Sequence, residues 1–153
     1  MKKLVFFLIF GTIICASCDS TKIYEKHIDI ERITWNRFDI KTFDVDIRDI
    51  SFTYDFYIAI RHHTDIPIPF LNLRFTMYTP SGETRIMEQK IVLKDKEGKL
   101  QGNGLGELWD VLHLAREDFQ FTEKGICTIE VSSTMSKADL PGILQVGLIV
   151  KKN

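Results

Sequence analysis

Apolar and polar residues alternate along most of the chain. Phe43, Val45 and Ile47 alternate with Asp44, Asp46 and Arg48, and Phe52, Tyr54, Phe56, Ile58 and Ile60 alternate with Thr53, Asp55, Tyr57, Ala59 and Arg61. The pattern returns at Leu71, Leu73, Phe75 and Met77, at Cys127, Ile129 and Val131, and at Leu144, Val146, Leu148 and Val150. A period of two predicts half-buried β-strands, each with one face toward a core. Between Ile86 and Leu93 the alternation is less regular, and Lys94 to Lys99 with Gly98 reads as a hairpin tip that joins this run to the next strand.

Proline and glycine punctuate the strands at Thr64–Pro69, Thr79–Gly82, Asp95–Gly98, Glu123–Gly125 and Leu140–Gly142. They supply a fixed or a positive φ where the chain reverses. Ser136 to Asp139 is expected to form one short helical turn, with Ser136 as cap and Asp139 answering it, stopped by Pro141 and Gly142. Many short strands and almost no helix predict an all-β fold: an antiparallel β-sandwich, jelly-roll-like or immunoglobulin-like.

The N-terminus breaks this pattern. Lys2 and Lys3 precede an apolar run from Leu4 to Ile14 and then Cys15-Ala16-Ser17-Cys18, the layout of a bacterial lipoprotein signal whose cysteine receives lipid. Cys18 is the expected acceptor, because small Ala16 and Ser17 precede it, whereas Cys15 follows Ile13 and Ile14. The run is shorter than the ~20 apolar residues that a spanning helix needs. The expected organisation is a signal peptide over 1–17, a lipid-anchored arm over 18–28 and one sandwich domain over 29–153.

The whole chain carries a formal net charge of −1, and losing Lys2 and Lys3 with the signal makes it −3. With no sustained basic stripe, this weakly acidic surface argues against nucleic acid as a partner. Beyond Cys18 the remaining cysteine is Cys127, so no internal disulfide is expected, and its phase with Ile129 and Val131 makes it a core thiol.

Several local features invite a chemical reading. Gly102, Gly104 and Gly106, followed by Glu107 and then Trp109 and Asp110, lack the spacing of a dinucleotide or phosphate loop, and Leu108 to Leu114 reads as a strand. On a strand, alternate glycines bare one face, which suits either a sharp bend or bulge, or close approach of a ring, a backbone or a partner. Arg61-His62-His63-Thr64-Asp65 is the best metal or acid–base candidate. Adjacent histidines on a strand, however, point to opposite faces and do not share an ion. Arg61, sharing the polar face with Asp55, reads as part of a strand-end ion pair or as an interface contact. The chain has no G-x-S-x-G elbow, and the alternating acids Asp44, Asp46 and Asp49 read as a solvated face.

The ordered set of these features resembles the gliding-motility lipoprotein GldH family of Bacteroidota. It comprises Tyr24-Glu25, Trp35, Phe43 to Asp49, Tyr54 to His62, Pro69, Asn72-Leu73, Pro80-Ser81-Gly82, Gly102 to Glu107, Phe121, Gly125, Met135, Leu140 to Ile143 and Val146-Gly147-Leu148. The resemblance implies a non-enzymatic cell-envelope lipoprotein, an accessory or assembly factor of the gliding machinery tied to type IX secretion. It implies other envelope lipoproteins as partners, a lipid anchor on either membrane or at the cell surface, and no cofactor.

The residues expected to dock a partner are Arg61, His62, Asn72, Gly102, Gly104, Gly106, Glu107 and Trp109. A competing reading is a carbohydrate-binding sandwich, in which Trp35, Tyr57, Tyr78 and Trp109 line one solvent face. A hydrolase would instead need a deep pocket that brings His62 or His63 onto two carboxylates.

Overall fold

The computed structural model describes residues 20–153. The expected signal peptide over 1–17 and the expected lipid acceptor Cys18 lie outside the described residues. The strands are β1 (Lys22–Asp29), β2 (Thr34–Asn36), β3 (Lys41–Ile47), β4 (Thr53–His63), β5 (Phe70–Tyr78) and β6 (Thr84–Val92), followed by β7 (Asn103–Leu105), β8 (Leu108–Gln120), β9 (Gly125–Ser133), β10 (Asp139–Pro141) and β11 (Ile143–Lys152). A five-stranded sheet, in the order β1-β11-β4-β8-β7, packs on a four-stranded sheet, β3-β9-β5-β6. All the pairings are antiparallel, and β2 with β10 forms a small third ladder. The protein is therefore an all-β antiparallel sandwich.

Alternation decides which face is buried. Phe43, Val45 and Ile47 of β3, Leu71, Leu73, Phe75 and Met77 of β5, and Cys127, Ile129 and Val131 of β9 meet Tyr54, Phe56, Ile58 and Ile60 of β4 in one core. Phe56 sits at its aromatic centre, with ring centroids of Phe75, Phe119 and Phe121 at 6.2, 6.4 and 6.2 Å. The Cys127 thiol is buried there, and desolvation pushes its pKa up to about 12, so it stays protonated and acts as a small apolar filler.

Three local expectations are corrected. Residues 22–28 are not an arm, because β1 pairs in register with β11 from Lys22↔Lys151 to Asp29↔Gln145. Ser136 to Asp139 is not helical. Leu140 and Trp35 are opposed and both buried, which pulls Asp139–Pro141 into an extended ladder, and the Asp139 carboxylate accepts a bond from the Asn36 amide at 2.8 Å. In β11 a bulge between Ile143 and Gln145 changes the phase, so Ile143 rather than Leu144 reaches the core. The irregular run is β6, a full nine-residue strand. As an edge strand it has an inward face only partly covered, so it tolerates Arg85 and Gln89 there.

Candidate functional site

The strand ends divide the molecule into two ends. Lys152 N–H donates to Thr21 O at 2.8 Å and Asn153 N–H to Thr53 O at 2.9 Å, so the starts of β1 and β4 and the end of β11 share one end. β4 then runs eleven residues to His63, a span of about 35 Å at ~3.3 Å per residue. At the other end His63 N–H donates to Gly142 O at 2.8 Å, and Thr64 N–H donates to Glu107 O at 2.9 Å. The glycine segment and the end of β4 thus meet on the side remote from the start of β1.

The β7–β8 hairpin is built by its glycines. Gly106 takes φ +64° at the first central position of a two-residue turn between Leu105 and Leu108, the place where a primed hairpin turn requires a left-handed residue. Gly104 has no Cβ because the Trp109 ring lies against it: a methyl there would stand 2.3 Å from ring carbons. The bare strand face is filled by the chain's own indole. Gly104→Ala is therefore expected to displace Trp109 and cost about 1–3 kcal/mol. This is read as a fall of roughly 2–12 °C in the thermal midpoint, while Leu105→Ser, at a 91% exposed neighbour, stays within about 0.5 kcal/mol.

On the outer face of the larger sheet, Arg61 holds Asp110, not the expected Asp55, through Nε at 2.7 Å and Nη2 at 2.9 Å, while the Asp55 carboxylate accepts from Asp118 N–H and the Asn153 amide. The guanidinium keeps the Asp110 carboxyl below its ordinary pKa and is itself raised by the pair. His62 and His63 diverge as strand geometry requires. His62 is buried beside Trp109 in the register, its Nδ1 bonded to His63 O at 2.9 Å and its Nε2 without a partner. Desolvation lowers its pKa. His63 lies at the surface, Nε2 3.5 Å from Glu107 and Nδ1 3.8 Å from Asp65, two carboxylates that stand open to solvent. That arrangement sets His63 between two carboxylates on an open surface, where the three brace the turn.

Of the expected docking residues, Arg61, Gly102, Gly104, Gly106, Glu107 and Trp109 cluster on this corner, and His62 lies beneath it. Asn72 is at the same end but on the smaller sheet, where its N–H meets Met135 Sδ at 3.4 Å and its carbonyl accepts Thr134 N–H at 2.9 Å.

The aromatic side chains do not share a face. Trp35 is in the core with Nε1 donating to Asp39 O at 2.8 Å, and Trp109 points inward against Gly104. Tyr57 lies on the outer face of the larger sheet, and Tyr78 belongs to the smaller sheet, bonded to Glu130 at 3.2 Å.

An apolar stripe lies beside the ion pair instead. Leu105, Leu108, Leu112 and Leu114 stand on the outer face of β7 and β8, with Leu112 54% exposed, across from Ala59 and Tyr57. Sequence reasoning missed it. The signal was available, since β8 is apolar in both phases, Leu108, Leu112 and Leu114 alternating with Trp109, Val111 and Ala115.

Among the described residues no helix is long and apolar enough to cross a membrane. No solved structure matches the chain. Two curated relatives do. "Gliding motility lipoprotein GldH" of Flavobacterium johnsoniae is 23% identical over 89% of this chain and 84% of its own length. "Gliding motility lipoprotein GldH homolog" of Christiangramia forsetii is 26% identical over 97% and 95%. The family described as GldH lipoprotein matches residues 22–150, nearly the whole described sandwich, and the chain belongs to that family.

Proposed function

We infer that this protein is a non-enzymatic, lipid-anchored envelope component of the gliding-motility machinery associated with type IX secretion. In this reading it docks other envelope lipoproteins through the corner built by β4, β7 and β8. The anchor is lipid on Cys18. Three residues separate Cys18 from Lys22, and the four steps between them reach at most about 14 Å. The anchor thus holds one end of the sandwich while the docking corner sits at the other.

The observation that carries the docking reading is the exposed leucine stripe beside the Arg61–Asp110 pair. Exposed leucines on both sides of an ion pair, Leu105 and Leu108 before Asp110 and Leu112 and Leu114 after it, favour a protein partner, and the dispersal of Trp35, Tyr57, Tyr78 and Trp109 does not favour a sugar.

Crosslinked affinity purification of the tagged protein from native membranes tests this, read by mass spectrometry. Gliding or type IX lipoproteins are expected with the unaltered bait. They are expected to be lost from both the Cys18→Ala bait and a Leu112→Asp, Leu114→Asp bait that still folds. Retention of the same proteins by the leucine variant would place the docking surface elsewhere. Their absence from all three baits would sink the assembly role.

A further inference from the structure

We propose that β6 is a self-association edge, pairing antiparallel with β6 of a second copy about a two-fold axis through Gln89. The other free edges of the sandwich are protected against such pairing. β1 carries a bulge between Lys22 and Tyr24, and β7 is three residues long. β8 is bulged twice opposite Phe56, with Asp118 at φ +49°. The outward residues of β3 include Asp44 and Asp46, which a second copy would set beside more carboxylates. Bulges, short strands and like charges are the usual protections of an edge. β6 runs nine residues with no proline, glycine or register shift, and Ile86 and Val92 on it are 63% and 46% exposed.

The sequence of β6 names its partner. With Gln89 opposite itself, Ile86 faces Val92 of the second copy and Met87 faces Ile91, while Glu88 faces Lys90 and Lys90 faces Glu88. Apolar meets apolar and acid meets base on both sides of the axis, the cross-strand pairs that stabilise a ladder.

The backbone phase agrees. Thr79 N–H donates to Glu83 O at 2.9 Å and Leu93 N–H to Pro69 O at 2.8 Å, bracketing the β5–β6 ladder with hydrogen-bonded pairs at odd positions of the second strand. Ile86, Glu88, Lys90 and Val92 therefore turn their N–H and C=O groups to the free edge, and this register pairs those four residues with one another. The adjacent registers of the same phase set Glu88 against Glu88 or Lys90 against Lys90. In the monomer Glu88 is held by Arg74 at 2.9 Å and Lys90 lies over the Phe70 ring at 4.3 Å, so both charges are already extended along the outer face.

The two-fold axis runs normal to the sheets. Both tethers then stand at the same height over a bilayer parallel to them, so one membrane can hold both copies and raise their effective concentration.

The test uses the full-length protein in native membranes under mild oxidation. Gln89→Cys is expected to give a covalent dimer, because facing residues of a non-hydrogen-bonded pair have Cα atoms about 4.5 Å apart, within disulfide reach. Ile86→Cys is expected to give none, since its own image lies six positions along the strand, about 20 Å away. Cys127 is buried and does not interfere.

In the Gln89→Cys background, Glu88→Lys is expected to cut the dimer about ten-fold by opposing like charges, and adding Lys90→Glu should restore it. Because Gln89 also bonds His113 and Ala115 O at 2.9 Å each, a second arm mixes differently tagged Glu88→Cys and Lys90→Cys chains, which leaves that bridge intact and should crosslink only with each other. The proposal is overturned by crosslinking in neither arm, by Ile86→Cys dimers equal to those of Gln89→Cys, or by a charge swap that fails to restore pairing.

Discussion

Phe56→Ala is expected to destabilise the protein by about 3–5 kcal/mol, enough to remove a large share of the stability of a domain that holds roughly 5–15 kcal/mol in all. Phe56 is fully buried on the central part of β4, and its ring is packed edge-on or tilted against Phe75 of the smaller sheet and Phe119 and Phe121 of the larger sheet's end. Truncation leaves a cavity touching both layers, and it also removes aromatic contacts worth about 0.5–1.5 kcal/mol each. A urea titration should show the midpoint falling with an unchanged slope. Phe56→Leu, which keeps most of the volume, should lose much less. Equal losses for Ala and Leu would mean that ring geometry rather than filled space holds the two sheets together.

Acid should weaken the fold as pH falls below about 6.5. Burial lowers the pKa of both His62 and His113 from the ordinary imidazole value of 6.5. Both rings are therefore neutral in the native state, while the unfolded chain takes up its protons first as pH falls. Stability is full above about pH 6.5 and declines below it until the depressed native values are reached, with a slope of at most ~1.4 kcal/mol per pH unit per ring.

The two rings differ in what protonation demands. His113 keeps Gln89 Oε1 at 2.9 Å from Nε2, whereas the Nε2 of His62 has no acceptor within reach in its buried site, so a proton there is left without a partner. His62→Phe, close in volume and without a proton site, should flatten the slope between about pH 6.5 and 5 and leave the part due to His113. Unfolding midpoints across that range decide it. An undiminished slope in the variant would assign the whole effect to other groups.

The sandwich was readable from the chain because burial obeys a period of two wherever a strand has neighbours on both sides. Phe43, Val45, Ile47, Leu71, Leu73 and Phe75 show this plainly. Three failures share one cause: local pattern does not contain the partner. Ser136 to Asp139 looked like a capped turn because its pairing strand lies a hundred residues away at Thr34–Asn36. Leu144 kept the apparent alternation, but the bulge that moved Ile143 inward is set by the register against His62. Residues 22–28 looked like an arm because the strand that pairs with them is at the far end of the chain.

The docking corner was legible in part. Gly102, Gly104 and Gly106 marked a close approach, and the ring that makes it, Trp109, stood five residues from Gly104. The leucine stripe went unread because a strand apolar on both phases resembles a deeply buried one, and only the open outer face of β8 tells them apart.

β11 lies between β1 and β4 in the larger sheet, so its position in space is central while its position in sequence is last among the strands. A ribosome therefore releases every other strand before the one that joins them. Until Ile143–Lys152 emerges, β1 has no neighbour in its sheet and β4 lacks one of its two. Pairing that depends so heavily on distant segments carries a high loop-closure cost and forms slowly. The smaller sheet, whose four strands all precede β11, can close first, whereas the larger sheet waits for Ile143–Lys152, and a deletion confined to that strand would leave β1 and β4 exposed as two unpaired edges.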